Sequence, residues 1–224
     1  MLVPSPLYAI VDVDAAAAQR LDPAGLAIAF ADAGVRLLQI RAKRMAGAPL
    51  LALCEAVVDA TRGAGALVIV NDRADIARLA GAAGVHVGQE DLTVDEVRRI
   101  LGPGAIVGVS THTADQIEAA QLTSADYFAV GPVFGTKTKE TGHGSVGLEL
   151  VARAAARSGG RPVVGIGGIT IETAATVIRA GASAVAVIGD LLGSGDPVAR
   201  ARMYLDVLGG VGGLTGRSAP RDRV

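Results

Sequence analysis

Residues 127–144 read YFAVGPVFGTKTKETGHG, and this stretch changes from apolar to polar near its middle. A run typical of a buried strand, 127–130, ends at a Gly-Pro pair, and the residues from Gly135 onward are hydroxyls, lysines, glycines and other polar groups. A loop of this composition after a buried strand is rarely needed for packing. Backbone N–H groups, Thr hydroxyls and Lys ammonium groups all favour negative charge. The stretch therefore predicts a strand that leads into an anion-binding loop, with a solvated surface turn as the alternative.

Short apolar runs of this kind recur along the chain and alternate with segments of helical spacing. The predicted strands are 7–11, 37–40, 67–70, 84–87, 106–109, 127–130, 162–166 and 184–188. The predicted helices are 24–33, 50–61, 74–80, one capped by Thr93, 114–122, 148–157, one capped by Thr170, and 197–208. Continuous apolar strands joined by helices indicate a parallel sheet that helices cover. Eight such units predict a single (β/α)8 TIM barrel of the α/β class, with a doubly wound open sheet as the alternative.

The amino-acid composition limits which partners and which cellular location are expected for the protein. The chain has 224 residues, 21 Lys+Arg against 22 Asp+Glu, and 3% aromatic residues, so no basic, aromatic-rich face for nucleic acid is predicted. One cysteine and no long apolar run predict a cytoplasmic protein without membrane contact. The catalytic barrel is expected to span 1–208, and the Gly-rich, charged tail 209–224 is expected to be disordered. Alanine-rich outer helix faces are compatible with a homodimer, although no interface is identified.

In a barrel of parallel strands, all the strands' carboxyl ends open at one mouth. Polar or glycine groups follow seven of the predicted strands in the same phase, and any one of them alone would be weak evidence. These groups are Gln39/Arg41/Lys43, Asn71/Asp72, Asp91, Ser110, Thr136/Thr138/Lys139, Gly167/Gly168 and Ile188/Gly189. Their repetition predicts a ligand site at that mouth.

The mouth combines three cations, Arg41, Lys43 and Lys139, with two carboxylates, Asp72 and Asp91. Mg²⁺ is usually held by one or two carboxylates together with phosphate oxygens and water. This set therefore predicts a polyphosphate bound with a divalent metal. The alternative is that the two aspartates cap the helices that follow them.

Glycines after the last two strands predict a second anion site. The segments are 165–170, GIGGIT, and 187–190, VIGD. Barrels often bind phosphate on backbone N–H groups in these two loops. A dinucleotide fingerprint does not fit, because Thr170 stands where the third glycine is required. Cys54 and His86 are expected to be core residues, and no catalytic role is favoured for His112.

Taken together and in this order, the motifs resemble those of the thiamine-phosphate synthase family over nearly the whole chain. The resemblance is carried by QIRAK at 39–43, NDR at 71–73, HVGQED at 86–91, GVS at 108–110, GPVF with TKTK at 131–139, and GIGGI at 165–169. It implies a transferase that joins 4-amino-2-methyl-5-hydroxymethylpyrimidine pyrophosphate to 4-methyl-5-(2-hydroxyethyl)thiazole phosphate, with Mg²⁺ as cofactor and pyrophosphate as leaving group.

The resemblance also implies roles for individual residues. The pyrimidine pyrophosphate would bind to Gln39, Arg41, Lys43, Asn71, Ser110 and Lys139, of which Arg41, Lys43, Ser110 and Lys139 are the expected catalytic residues. The metal would bind to Asp72 and Asp91. The thiazole phosphate would bind to Thr136, Thr138, Gly168, Ile188 and Gly189.

Two positions depart from the family pattern, because members often carry Ser at the position of Gly189 and Pro at the position of Gly135. The rival interpretations are a thiazole tautomerase on the same barrel, a barrel that binds a phosphorylated ligand without catalysis, and a sugar-phosphate isomerase or indole-type synthase barrel. The two carboxylates with their cations speak against the tautomerase, and two anion sites plus a metal pair are more than the binding of one ligand needs. An isomerase or synthase barrel would have no use for the cluster from Gln39 to Lys43.

Overall fold

The computed structural model describes residues 4–135 and 144–212. Eight parallel strands pair in chain order and close into a barrel, because β1 also pairs with β8. The strands are β1 Leu7–Asp12, β2 Leu37–Arg41, β3 Leu67–Asn71, β4 Gly84–Val87, β5 Ile106–Thr111, β6 Tyr127–Val130, β7 Val163–Ile166 and β8 Ala184–Val187. The predicted (β/α)8 barrel is confirmed.

The alternation of side chains along each strand separates two cores. On β1, Tyr8 and Ile10 point into the barrel, while Leu7, Ala9 and Val11 pack against the helices outside. The inner core is small, and polar residues lie between it and the carboxyl ends of the strands. The outer core is a continuous apolar layer. This period of two determines which residue of each strand end faces the mouth.

The helices cover the outside of the barrel. They are α1 Val13–Ala18, α2 Pro23–Asp32, α3 Gly47–Thr61, α4 Ala74–Leu79, α5 Val94–Leu101, α6 Ala114–Gln121, α7 Gly147–Arg157, α8 Ile171–Arg179, α9 Gly189–Leu192 and α10 Pro197–Gly212, with a 3₁₀ turn at Arg62–Ala64. Thr93 and Thr170 are the N-caps of α5 and α8, as the sequence predicts. Thr93 forms a capping box with Glu96, whereas at α8 the Thr170 N–H donates to Thr173 Oγ1 at 3.0 Å.

Two short helices were not predicted from the sequence. The helix α1 follows β1 directly and is capped by Asp12, whose Oδ1 accepts from the Ala15 N–H at 2.9 Å. Its alanine run has no apolar period to reveal it. The four-residue α9 is too short for a periodic signal, and it begins at the glycine that had been assigned to a phosphate loop.

The last helix also extends further than predicted. Helix α10 continues to Gly212, so the prediction of a disordered tail is wrong for 209–212, and residues 213–224 lie outside the described part of the chain. Glycine disfavours a helix by only about 1 kcal/mol per residue, which does not end a helix already held by packing. Buried Ala201, Tyr204 and Leu208 supply that packing.

The barrel leaves no room for a side chain at Gly84 on β4. A Cβ there would lie 1.9 Å from the carbonyl oxygen of Ile106 on the neighbouring strand. We expect Gly84→Ala to lower the free energy of unfolding by about 3 kcal/mol, because a strand backbone must shift to accept the methyl group. Denaturant unfolding followed by circular dichroism measures the change.

Gly104→Ala is the matched control, since a Cβ at Gly104 meets no atom within 4 Å. Its unfolding midpoint should stay close to that of the wild type, within about 0.5 kcal/mol. Equal losses in the two variants would contradict this explanation.

Candidate active site

The carboxyl ends of the strands surround two cavities at one mouth. A polar cavity of about 420 Å³ lies over β2 to β5 and is bordered by Lys43, Asp72 and Asp91. A mainly apolar cavity of about 300 Å³ lies over β5 to β8 and is bordered by Gly168 and Ile188. Ser110 and His112 border both cavities. Of the residues that sequence spacing assigned to the two anions, Lys43, Asp72 and Asp91 border the polar cavity, and Gly167, Gly168, Ile188 and Gly189 border the adjacent apolar one.

In the polar cavity, Lys43 Nζ lies 2.5 Å from Asp72 Oδ2. Asp72 directly follows β3 in the left-handed region, at φ +62°, and its N–H donates to the His86 carbonyl at 2.8 Å. Asp91 follows β4, and its Oδ2 accepts from the Gly88 N–H at 2.8 Å. Backbone geometry on two neighbouring strands thus aims both carboxylates at one space.

The alternative role of helix capping does not apply to either aspartate. Thr93 is the N-cap of α5, with its hydroxyl accepting from the Glu96 N–H. The N-cap position of α4 is Arg73, and it has no side-chain capping bond. Asp72 and Asp91 are therefore available to the cavity.

The two carboxylates affect each other's ionisation. Burial, together with a hydrogen bond to Asp91, raises the pKa of Asp72 despite the adjacent Lys43 ammonium. Burial also acts to raise the pKa of Asp91, but the Gly88 N–H and the bond from Asp72 outweigh it and lower that pKa. The pair thus favours holding one proton, or a cation in its place.

No group of three or more His, Cys, Asp or Glu side chains suited to a metal occurs within 4–135 and 144–212. A two-carboxylate site lacks the ligands that structural zinc requires. It fits a hard divalent ion that takes its remaining oxygens from a bound phosphate and water. The residues present are therefore compatible with Mg²⁺.

Other predicted site residues lie closer to the barrel axis. Gln39, Arg41 and Asn71 border a narrow space that reaches Ser110, and Asn71 also borders the polar cavity. The Arg41 guanidinium is hydrogen bonded to the Asp12 carboxylate. Arg41 and Lys43 are thus held by different carboxylates.

The backbone forms much of the apolar cavity's wall. Gly168 has φ +63°, and a Cβ there would lie 2.4 Å from the Gly135 carbonyl oxygen. Only glycine allows this close approach of two loops. Ile188 precedes the short helix α9, whose first residue is Gly189.

The anion-binding loop that follows β6 lies partly outside the described residues, and Thr136, Thr138 and Lys139 are among those not described. Its described flanks are tied to the barrel. The Phe134 N–H donates to the Gly167 carbonyl at 3.0 Å, and the Val146 N–H donates to the Pro132 carbonyl at 2.7 Å. The described residues before the gap thus lie beside the glycine loop after β7, and those after the gap lie beside Pro132.

Two histidines near the mouth make contacts that were not expected from the sequence. His86 is buried, as predicted, yet its Nε2 lies 2.8 Å from Ser110 Oγ. His112 borders both cavities, and its Nδ1 lies 2.5 Å from the Gly131 carbonyl, to which it donates. The period of two on β4 could have revealed His86, because Val85 and Val87 on either side face the helices.

The arrangement defines the general class of the molecule. A closed (β/α)8 barrel with cavities formed by the loops at its carboxyl-terminal mouth has the architecture of TIM-barrel enzymes. Comparison with known proteins then narrows the class.

The family model for thiamine monophosphate synthase matches residues 7–191. Thiamine-phosphate synthase of Roseiflexus castenholzii is 45% identical over 174 residues, which cover 78% of this chain and 76% of that protein. The enzyme of the same name from Roseiflexus sp. RS-1 is 43% identical over 196 residues, covering 88% and 82%.

A solved structure agrees with these sequences. Thiamine phosphate pyrophosphorylase from Pyrococcus furiosus superposes with a TM-score of 0.82 at 28% identity, covering 94% of this chain and 98% of that one. The chain therefore belongs to the thiamine monophosphate synthase family. It is an enzyme of the thiamine-phosphate synthase class, a transferase of thiamine biosynthesis. No helix within the described residues is long and apolar enough to cross a membrane.

The raised pKa of Asp72 has a consequence for stability. Since its folded pKa lies above the unfolded value, the folded state binds the proton more tightly, and stability falls as pH rises from about 3.8 through the folded pKa. We expect Asp72→Asn, measured in the presence of a chelator at neutral pH, to raise the free energy of unfolding. Asparagine also tolerates the left-handed backbone at this position.

Asp75→Asn is the matched control on the adjacent helix. The Arg73 guanidinium holds the pKa of Asp75 below its usual value, so ionised Asp75 contributes stability above about pH 3.8 and loses it as pH falls. This variant should lower the free energy of unfolding slightly at neutral pH. A loss in Asp72→Asn as large as in Asp75→Asn would contradict the electrostatic picture of the site.

Proposed function

We propose that this enzyme joins 4-amino-2-methyl-5-hydroxymethylpyrimidine pyrophosphate to 4-methyl-5-(2-hydroxyethyl)thiazole phosphate, releasing thiamine phosphate and pyrophosphate. The observation that carries the proposal is the pair of adjacent cavities that share Ser110 and His112. Two substrates bound in touching spaces are positioned for direct bond formation, which is a large part of catalysis for a two-substrate reaction.

The polar cavity suits the pyrophosphate. Asp72 and Asp91 would hold Mg²⁺ together with pyrophosphate oxygens and water. The bound ion would neutralise charge on the leaving group. Lys43 would add its own positive charge from beside Asp72, at 2.5 Å. Arg41, Gln39, Asn71 and Ser110 would contact the pyrimidine pyrophosphate from the axial side.

The apolar cavity suits the thiazole phosphate. Its volume and mainly apolar wall fit a small heterocycle, and the glycine loop exposes backbone near Gly168 and Gly189. Backbone N–H groups can approach a phosphate there without interference from side chains. Thr136, Thr138 and Lys139 keep their proposed roles in binding the substrates, although they lie outside the described residues.

The proposed mechanism is dissociative. Pyrophosphate departs first, the electron-rich aminopyrimidine stabilises the resulting methylene cation, and the thiazole nitrogen then attacks it. The protein has to bind, orient and neutralise charge, and it needs no nucleophile of its own. Burial, with a smaller effect of Glu55, raises the pKa of the Cys54 thiol to about 12, so the chain's single cysteine is not a nucleophile.

A cytoplasmic location and a homodimer stay predictions.

Pyrophosphate release tests the reaction. We expect release from the wild type only when both substrates and Mg²⁺ are present. Asp72→Asn should lower kcat/KM by about 100-fold or more, because the charge on the leaving group is then less well neutralised. Asp75→Asn removes a carboxylate of the same size outside both cavities and should retain near-wild-type kinetics.

Two outcomes would reject the proposal. One is release that needs no metal and is unaffected in Asp72→Asn. The other is an absence of release combined with isomerisation of a thiazole substrate, which would favour the tautomerase interpretation.

Family members often carry Ser where this chain has Gly189, and this difference gives a test of the apolar cavity. Gly189→Ser should lower KM for the thiazole phosphate by about tenfold, because a hydroxyl donating to a charged group contributes about 1.5 kcal/mol. Gly189→Ala is the control and should not improve binding. If both variants lower KM equally, helix propensity in α9 and not a phosphate contact is responsible.

A further inference from the structure

A chain of hydrogen bonds crosses the inside of the barrel beneath the two cavities. Gln39 Nε2 donates to Tyr8 Oη at 2.8 Å, and Tyr8 Oη lies 3.0 Å from Tyr127 Oη. Tyr127 Oη lies 3.0 Å from His86 Nδ1, and His86 Nε2 lies 2.8 Å from Ser110 Oγ. All five side chains are buried. We call this set of five residues the axial chain.

The axial chain is an unusual way to fill a barrel core. Its neighbours inside the barrel include Ile10, Leu37, Ile69 and Val164, which fill space without any hydrogen-bonding demand. A buried polar group left without a partner costs about 1–3 kcal/mol, whereas an apolar replacement of the same shape can be neutral. Stability alone therefore does not explain five linked polar groups.

The backbone of β5 leaves space for the ring of Tyr127. Gly108 on β5 has no side chain, and a Cβ there would lie 2.0 Å from Tyr127 Cζ. The Tyr127 ring stacks on His86 at 5.5 Å between centroids and meets Tyr8 edge-on at 6.1 Å. These contacts restrict the three rings to the orientation that links Gln39 to Ser110.

The numbers of donors and acceptors allow only two directions of hydrogen-bond donation along the axial chain. Each hydroxyl carries one hydrogen, and neutral imidazole has one donor and one acceptor nitrogen. Burial raises the pKa of both Tyr8 and Tyr127, so each phenol keeps its hydrogen. Among the described residues, Tyr127 Oη bonds only to Tyr8 and His86, and its hydrogen must go to one of them.

The amide of Gln39 sets the direction. Because its Nε2 donates to Tyr8, the Tyr8 hydrogen points to Tyr127 and the Tyr127 hydrogen points to His86 Nδ1. His86 then carries its hydrogen on Nε2 and donates it to Ser110 Oγ. The Ser110 hydrogen is left to point away from the histidine, towards the cavities that this residue borders.

We propose that the axial chain holds His86 as the Nε2–H tautomer and thereby commits the Ser110 hydroxyl to donate a hydrogen bond to an anionic ligand. His86, Tyr127 and Tyr8 are positioning residues that act through Ser110. The hydrogen order is independent of the reaction, whereas the identity of the anion, a pyrophosphate, rests on the proposed function.

The charge of the ligand supports the same direction. In the reverse order, Ser110 would donate to His86 Nε2 and would present only oxygen lone pairs to the cavities. Lone pairs repel an anionic oxygen, whereas a hydroxyl hydrogen attracts it. A chain ordered from Gln39 to Ser110 is thus the one that suits an anion site.

Nitrogen-15 NMR of the imidazole rings tests the hydrogen order directly. The chain has three histidines, and the His86 signals are assigned by their loss in His86→Gln. At about pH 8, above the usual imidazole pKa of about 6.5, we expect the Nε2–H tautomer for His86. The Nδ1–H tautomer would show that the chain runs the other way and would overturn the proposal.

A double-mutant cycle tests the link to the ligand. Calorimetric binding of inorganic pyrophosphate with Mg²⁺ should weaken by about tenfold in Tyr127→Phe, because His86 Nδ1 loses its donor and Ser110 its fixed role. In a Ser110→Ala background, Tyr127→Phe should cause no further loss. Additive losses would mean that Tyr127 acts on the fold and not through Ser110.

Tyr204→Phe is the matched control for the cycle. Tyr204 is also a buried tyrosine, and its hydroxyl donates to Asp190 Oδ2 at 2.7 Å, outside the axial chain. Its effect on pyrophosphate affinity should be small and the same with or without Ser110→Ala.

Two replacements of His86 separate shape from hydrogen bonding. Gln can place an N–H near the position of the imidazole Nε2, whereas Asn mimics only the Nδ1 side. We expect His86→Gln to retain pyrophosphate affinity within about threefold and His86→Asn to lose about tenfold. Equal affinities in the two variants would contradict the donor role of His86.

The two proposals fail in different ways. Failure of the wild type to bind pyrophosphate or release it from substrate would contradict the proposed function and the ligand part of this inference. The NMR result would still decide the hydrogen order. Normal catalysis with an Nδ1–H His86 would reject the axial-chain proposal alone.

Discussion

The closure of the strand ladder between β1 and β8 is the constraint on which the rest of this structure depends. A closed parallel barrel has no free strand edge, and it brings eight carboxyl ends to one mouth. Polar residues from β2 to β5 and glycine loops from β7 and β8 therefore line adjacent cavities that share Ser110 and His112, although they are far apart in the chain. An open sheet would spread the same residues along one edge.

Closure also makes the inside of the barrel a narrow, buried core. Side chains of alternate strand residues meet there, and Tyr8, Tyr127 and His86 fill the layer just below Gln39 and Ser110. Burial in this layer raises the pKa of both tyrosines, and each therefore stays protonated. Polarity then increases towards the mouth, where Lys43, Asp72 and Asp91 border the polar cavity.

Most of this architecture is predictable from the sequence, because local signals are strong. The strands 84–87 and 127–130 match the structure at both ends, and Thr93 and Thr170 are the caps that were expected. The elements that the sequence does not predict are those whose local signal is absent or misleading. Helices α1 and α9 are too short for periodicity, and the glycines after Leu208 suggested a helix end that packing overrides. The position of Lys139 is outside what the structure describes.

The amino-acid sequence by itself determined the barrel, the polar mouth and the family, because apolar periodicity and ordered motifs are local properties of the chain. Only the tertiary structure decided how the polar residues are partnered. Arg41 binds Asp12, Lys43 binds Asp72, and His86 joins Ser110 to Tyr127. These partners come from different strands, and their pairing follows from the register and twist of the closed barrel, which no local pattern encodes.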